Sequence, residues 1–157
     1  MEKIHYPEQD VLKQIVMALQ TALADRLVAV VLFGSQARGD ASQDSDWDVL
    51  VIAEALPEKS FERHMFLKRL LPPAWRGAIS VLAKTPSEFE AHLPSLYLDI
   101  ALDGQILYDP RRYAAGRLAD LRRLIERAGL HRERGLDGDI WRWREEPAAA
   151  WALEWEK

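Results

Sequence analysis

The stretch that decides the fold is LVAVVLF-GS-QARGDASQDS-DWD-VLVIA, residues 27–53. Leu27 to Phe33 is a short continuous apolar run rich in β-branched residues, which reads as a strand buried on both faces. Trp47 to Ala53 reads as a second strand of the same kind. Between them, Gly34 to Asp44 is polar and contains glycine, so it predicts a loop or a short helix. Asp46 and Asp48 stand two residues apart. In extended chain that spacing sends both carboxylates to one side and Trp47 and Val49 to the other. Two carboxylates held side by side repel unless a cation lies between them. Mg²⁺ suits such a pair, because it takes one or two carboxylates together with substrate phosphates. Gly34-Ser35 follows a buried strand directly. Glycine there lets a phosphate approach the backbone, the Ser35 hydroxyl adds a donor, and a short helix starting at Gln36 would aim its free N–H groups at the same anion. One element would hold the triphosphate of a nucleotide and the other the metal.

Working outward, Pro7 to Arg26 predicts a helix whose apolar face is Val11, Ile15, Leu19 and Leu23. Glu58 to Leu71 has helical character and ends at Pro72-Pro73. Ala78 to Ala83 is a third strand. Thr85-Pro86-Ser87-Glu88 is a capping box with proline at the first helical position; the helix continues to about Leu102 with a break near Pro94. A short strand, Gln105 to Tyr108, comes next. A helix over Pro110 to Ala128 presents Ala114, Leu118, Leu121 and Ile125 on one face and stops at Gly129. Two short strands around Asp137-Gly138 place Trp141 and Trp143 on one face, Arg142 and Arg144 on the other. The pattern predicts a mixed α/β (α+β) fold, a short mixed sheet covered by helices with a small C-terminal β extension. We divide it into a domain over 1–110 and a C-terminal helix with a Trp/Arg-rich extension over 111–157.

The two motifs together resemble a known family. Gly34-Ser35, residues 36–45, then Asp46-x-Asp48, within Phe33-Gly34-Ser35-Gln36-Ala37-Arg38-Gly39 and Ser45-Asp46-Trp47-Asp48-Val49, look like the minimal nucleotidyltransferases of the DNA polymerase β-like superfamily. The resemblance covers roughly residues 25–110. It implies the nucleotidyltransferase fold, catalytic and metal-binding roles for Asp46 and Asp48, nucleotide binding by Gly34 and Ser35, Mg²⁺ as cofactor, and ATP as the nucleoside triphosphate. It further implies transfer of AMP to an acceptor. Several small members resemble the antitoxin half of a two-gene system whose partner is an all-helical HEPN-type toxin. Arg38 matches a frequent family residue. Catalytic members carry a third carboxylate on a later strand, shortly before a Thr-Pro helix start; counting back from Thr85-Pro86, that place falls at Ser80. No Asp or Glu occurs from Trp75 to Thr85, and Asp99 is the later acid that could substitute. A protein that has lost full catalysis and acts by masking a partner is therefore the alternative. Antibiotic-modifying relatives carry a larger substrate domain than 157 residues accommodate.

Bulk properties agree with this reading. The chain has 157 residues, 48% hydrophobic and 29% charged, which fits one globular domain. It has no cysteine, which excludes disulfides and thiolate metal sites. No apolar run reaches membrane-spanning length, and Met1 to Asp10 lacks a signal-peptide core, so we expect a cytoplasmic protein. The net charge of −4 argues against general nucleic-acid binding. Yet Arg111, Arg112, Arg117, Arg122, Arg123, Arg127, Arg132 and Arg134 face only Asp120, Glu126 and Glu133 in residues 111–134, which reads as a solvated helix face or a surface for an acidic partner or RNA. His5, His64, His92 and His131 have no metal-ligand spacing. There is no P-loop, and Ser35 lacks the Gly-x-Ser-x-Gly elbow of a hydrolase nucleophile. The tryptophans at 141, 143, 151 and 155 read as packing residues for the tail or a partner, with base stacking as the alternative.

Overall fold

A computed structural model describes residues 8–42, 44–147 and 153–155. Helix α1 (Glu8–Leu23) buries Val11, Ile15, Leu19 and Leu23, the expected face. It ends in a single turn, Ala24–Arg26, that leads into strand β1 (Leu27–Phe33). Helix α2 (Gly34–Arg38) joins β1 to β2 (Trp47–Ala53). Then come α3 (Ser60–Leu70), β3 (Ile79–Lys84), α4 (Pro86–Ala91), α5 (Ser95–Asp103), β4 (Gln105–Tyr108), α6 (Tyr113–Ala128), β5 (Leu130–Gly135) and β6 (Gly138–Trp143).

The main sheet has the order β3-β2-β1-β4. β1 is antiparallel to both β2 and β4, while β2 and β3 are parallel. A parallel pair needs a crossover connection, and α3 supplies it. The sheet is thus mixed, and it is covered on both faces. Val30, Leu32, Val49 and Val51 turn toward α1 and α3. Val31, Leu50 and Ile52 turn toward α4, α5 and α6. This explains why β1 and β2 read as continuous rather than alternating apolar runs. The β5–β6 hairpin forms a separate two-stranded sheet.

Several boundaries shift for local reasons. α2 starts at Gly34 rather than Gln36. α6 starts at Tyr113 rather than Pro110, because the Asp109 carboxylate accepts from the N–H groups of Ala114 and Ala115 at 3.1 and 2.8 Å and so terminates the helix from outside. The capping box before α4 is complete: Thr85 Oγ accepts from the Glu88 N–H, and Glu88 accepts from the Thr85 N–H. Trp141, Trp143 and Trp155 pack against the α4–α6 side of the core, as a packing role requires; Trp151, His5 and the expected helix start at Pro7 lie outside the described residues.

Candidate active site

The antiparallel register of β1 and β2 sets Phe33 opposite Asp48, so Gly34 emerges beside that carboxylate. Gly34 has φ of 71°, a left-handed conformation in which side chains are strained. A Cβ at this position would run into the Asp48 carboxylate. Glycine is therefore required twice, once by the backbone and once by the carboxylate it faces. Ser35 follows, half-buried, with its carbonyl accepting from the N–H groups of Gly39 and Asp40.

Hydrogen bonds tie the described residues of the spacer together. The Gln36 side chain donates to the Ser45 carbonyl at 3.3 Å. The Ser45 hydroxyl accepts from the Ser42 N–H at 2.9 Å, and the Ser45 N–H donates back to the Ser42 carbonyl at 3.1 Å. These bonds tie α2 to the residue just before Asp46. The sequence places Gln36 and Ser45 in the motifs without a role, and nothing in it marks Ser42 beyond the polar character of the spacer.

Asp46 is exposed and precedes β2 by one residue, while Asp48 is half-buried within the strand. Burial raises the pKa of Asp48, the neighbouring Asp46 charge raises it further, and Arg38 partly offsets both. Asp48 thus sits beside Gly34 and within reach of the charges of Asp46 and Arg38. The third position is neutral: Ser80 is the register partner of Asp48 across the parallel β2–β3 pair. Opposite residues share a sheet face, so Ser80 flanks Asp48 on the same side, exposed. Asp99 is engaged elsewhere. It lies on α5, where it accepts from Arg132 at 3.2 Å and from the Trp141 indole at 3.1 Å. Among the described residues no trio of His, Cys, Asp or Glu could hold a metal ion. The donor set is a pair of carboxylates with mutual repulsion to relieve, which fits a Mg²⁺ that completes its shell from phosphate and water.

The nucleotidyltransferase domain family matches residues 12–108, and the chain belongs to that family. The mixed four-stranded sheet is the fold of that family. A Methanocaldococcus jannaschii protein with the provisional name protein adenylyltransferase is 30% identical over 122 residues, covering 75% of this chain and 83% of that protein. A second protein of that organism, named in the same way, is 26% identical over 102 residues, 64% of this chain and 98% of its own length. Among solved structures, a toxin–antitoxin complex with AMP-PNP superposes with a TM-score of 0.56 at 16% identity, over 74% of this chain and 87% of that one. A complex of a tri-AMPylated Shewanella oneidensis HEPN toxin with its MNT antitoxin gives a TM-score of 0.52 at 16% identity, over 77% and 88% of the two chains. The family match ends before α6 and the hairpin. No helix among the described residues is long and apolar enough to cross a membrane.

Proposed function

We propose that the chain transfers AMP from ATP to a hydroxyl of a HEPN-type toxin partner, with residues 1–110 as the nucleotidyltransferase domain and 111–157 as its extension. The observation that carries the reading is the contact of Gly34 with Asp48: the turn after β1 and the carboxylate of β2 meet with no side chain between them. In this reading Gly34 and Ser35 hold the triphosphate, and Asp46 and Asp48 hold Mg²⁺. The bound ion would neutralise charge on the phosphates and orient them. The acceptor oxygen attacks the α-phosphorus, the bond from that phosphorus to the bridging oxygen breaks, and pyrophosphate leaves. The hydroxyl proton passes to water, since position 80 carries no carboxylate. What the protein contributes is positioning and charge complementarity. The names of the relatives support AMP as the transferred group, and the AMPylated toxin complex supports the class of acceptor.

The test is mass spectrometry of the partner after incubation with ATP, Mg²⁺ and this chain. The partner gains one AMP mass increment with the wild type and none with Asp48→Asn. An AMP increment produced by Asp48→Asn sinks the assignment. Ser80 favours a second reading, in which transfer is weak and the chain works by masking its partner. A missing base typically costs about 10²–10⁴-fold. Ser80→Asp accelerating transfer within that range supports the enzymatic reading. Inhibition of the partner that needs no nucleotide and survives Asp48→Asn supports masking.

A further inference from the structure

We propose that Arg132 and Arg134 of the β5–β6 hairpin are positioning residues for the phosphate site: they occupy the carboxylates of Asp103 and Asp40 and so leave the Arg38 guanidinium available to the leaving pyrophosphate. This rests on reading Gly34-Ser35 and Asp46/Asp48 as the nucleotide–metal site, with the acceptor entering beside Ser80.

Arg38 stands on the leaving-group side. It is the last residue of α2, the helix that opens with Gly34-Ser35, and its charge reaches Asp48. The Ala37 carbonyl accepts from the Gln105 side chain at 3.0 Å, so this end of α2 lies over β4. Ser80 flanks Asp48 from β3, at the other edge of the sheet. Attacking and leaving oxygens lie roughly in line in phosphoryl transfer, so attack from the β3 side sends pyrophosphate toward the end of α2. A guanidinium there offers a fork of donors to phosphate oxygens.

Two carboxylates compete for that guanidinium. Arg38 Nε donates to Asp40 Oδ2 at 3.3 Å, and Arg38 Nη1 lies 3.9 Å from Asp103 Oδ2. Each of these oxygens is shared with a hairpin arginine. Arg134 Nη2 donates to Asp40 Oδ2 at 3.2 Å. Arg132 donates to Asp103 Oδ2 at 2.6 Å and to its Oδ1 at 2.9 Å. The Asp103 side chain is only 14% exposed, so water screens this bidentate pair little. Arg132 is itself held in place: it donates to Asp99 at 3.2 Å and lies over the Trp141 ring, 6.0 Å from its centroid. Asp103 is thus spent on Arg132 and meets Arg38 beyond hydrogen-bond length. Without Arg132, its Oδ2 would close on Arg38, and a phosphate would have to displace a carboxylate to bind. The same competition at Asp40 is weaker, because the Arg134 side chain is 76% exposed.

The experiment is calorimetric titration of the full chain with inorganic tripolyphosphate and Mg²⁺ at one ionic strength, on the wild type, Arg132→Ala, Asp103→Asn and the double variant. Arg132→Ala should bind about threefold to tenfold more weakly, within the coupling expected inside one ion-pair network. Asp103→Asn should restore that affinity in the double variant, yet change it by less than about twofold in the wild type, where Arg132 already holds the carboxylate. A gain of the same factor in both backgrounds overturns the proposal, because it leaves only long-range charge. A loss in Arg132→Ala that Asp103→Asn fails to recover also overturns it, since the hairpin would then act through its fold. So does an Arg132→Ala variant that binds as tightly as the wild type. Arg134→Ala with Asp40→Asn repeats the cycle at an exposed side chain that leaves the Arg132 cluster intact, with an expected loss of about twofold; no coupling there overturns the assignment of Arg134. Failure of the wild type to bind tripolyphosphate overturns the underlying site reading and the inference with it.

Discussion

The main sheet and the C-terminal hairpin are held by different forces. β1 and β2 contribute residues such as Val30, Leu32, Val49 and Val51 that are wholly buried, and the burial is non-directional and apolar. The hairpin exposes most of its side chains; Leu130, Trp141 and Trp143 pack on the α4–α6 side of the core, and Arg132 adds a cluster of ion pairs. Arg132 donates to Asp103 at 2.6 and 2.9 Å and to Asp99 at 3.2 Å, and lies 3.6 Å from Asp139. Asp103, the largest cause, and Asp99 hold the Arg132 guanidinium well above its usual pKa. The difference separates two jobs. The apolar sheet fixes Asp48 against the Gly34-Ser35 turn, whereas the hairpin forms a separate sheet that can be altered without dismantling the first.

The largest test of that separation is Leu32→Ala. Leu32 is fully buried at the centre of the α1/α3 side, so we expect a loss of about 2–5 kcal/mol in denaturant unfolding, felt by the whole molecule. Arg132→Ala should behave differently. It leaves Asp99, Asp103 and Asp139 without their shared cation, at a cost of about 1–3 kcal/mol. Amide exchange should speed up tenfold or more across residues 130–143 while β1 and β2 keep their protection. Uniform loss of protection in that variant would mean that sheet and hairpin are one cooperative unit.

A smaller effect should appear in acid. Glu88 is held at a pKa of about 2, against an ordinary 4.5, chiefly by its hydrogen bonds with Arg63 at 2.6 and 2.8 Å. A depressed carboxylate adds stability above its unfolded pKa and loses it as pH falls through the folded one. The advantage of the wild type over Glu88→Gln should therefore be constant above about pH 5 and shrink toward pH 2. The Glu88 side chain is 40% exposed, so solvent screening limits that advantage to roughly 1 kcal/mol. An advantage that persists undiminished at pH 2 would contradict the ion-pair account.

The smallest effect has the opposite sign. The raised pKa of Asp48 means that the folded protein without metal holds the Asp48 proton more tightly than the unfolded chain. Stability is then lost, not gained, as pH rises above the ordinary value of 3.8. Asp48→Asn should raise the metal-free Tm at pH 7, by on the order of 1–3 °C. A lowered Tm would show that this carboxylate stabilises the fold.

The contrast between sheet and hairpin also governs what could be read from residue order. The bounds of β1, β2 and β4 follow from continuous apolar runs and the turns flanking them, and the capping box before α4 follows from four adjacent residues. Counting back from Thr85-Pro86 pointed to Ser80, and the parallel register sets that residue beside Asp48. These are local signals, or long-range ones carried by strand periodicity. The left-handed Gly34, the Gln36 bond to Ser45 and the clustering of Arg132 with three carboxylates depend on how distant segments meet. Nothing periodic encodes such meetings, so Arg132 and Arg134 read only as members of a basic stretch. Asp99 could be placed on a helix, but not against Trp141.

The central claim is that Gly34-Ser35 and Asp46/Asp48 form one nucleotide–metal site. The most direct test is an ATP-binding titration with and without Mg²⁺ on the wild type and on Asp46→Asn/Asp48→Asn. The account predicts Mg²⁺-dependent binding by the wild type that the double variant loses while staying folded. Equal binding by both proteins, or no binding by the wild type, would contradict it.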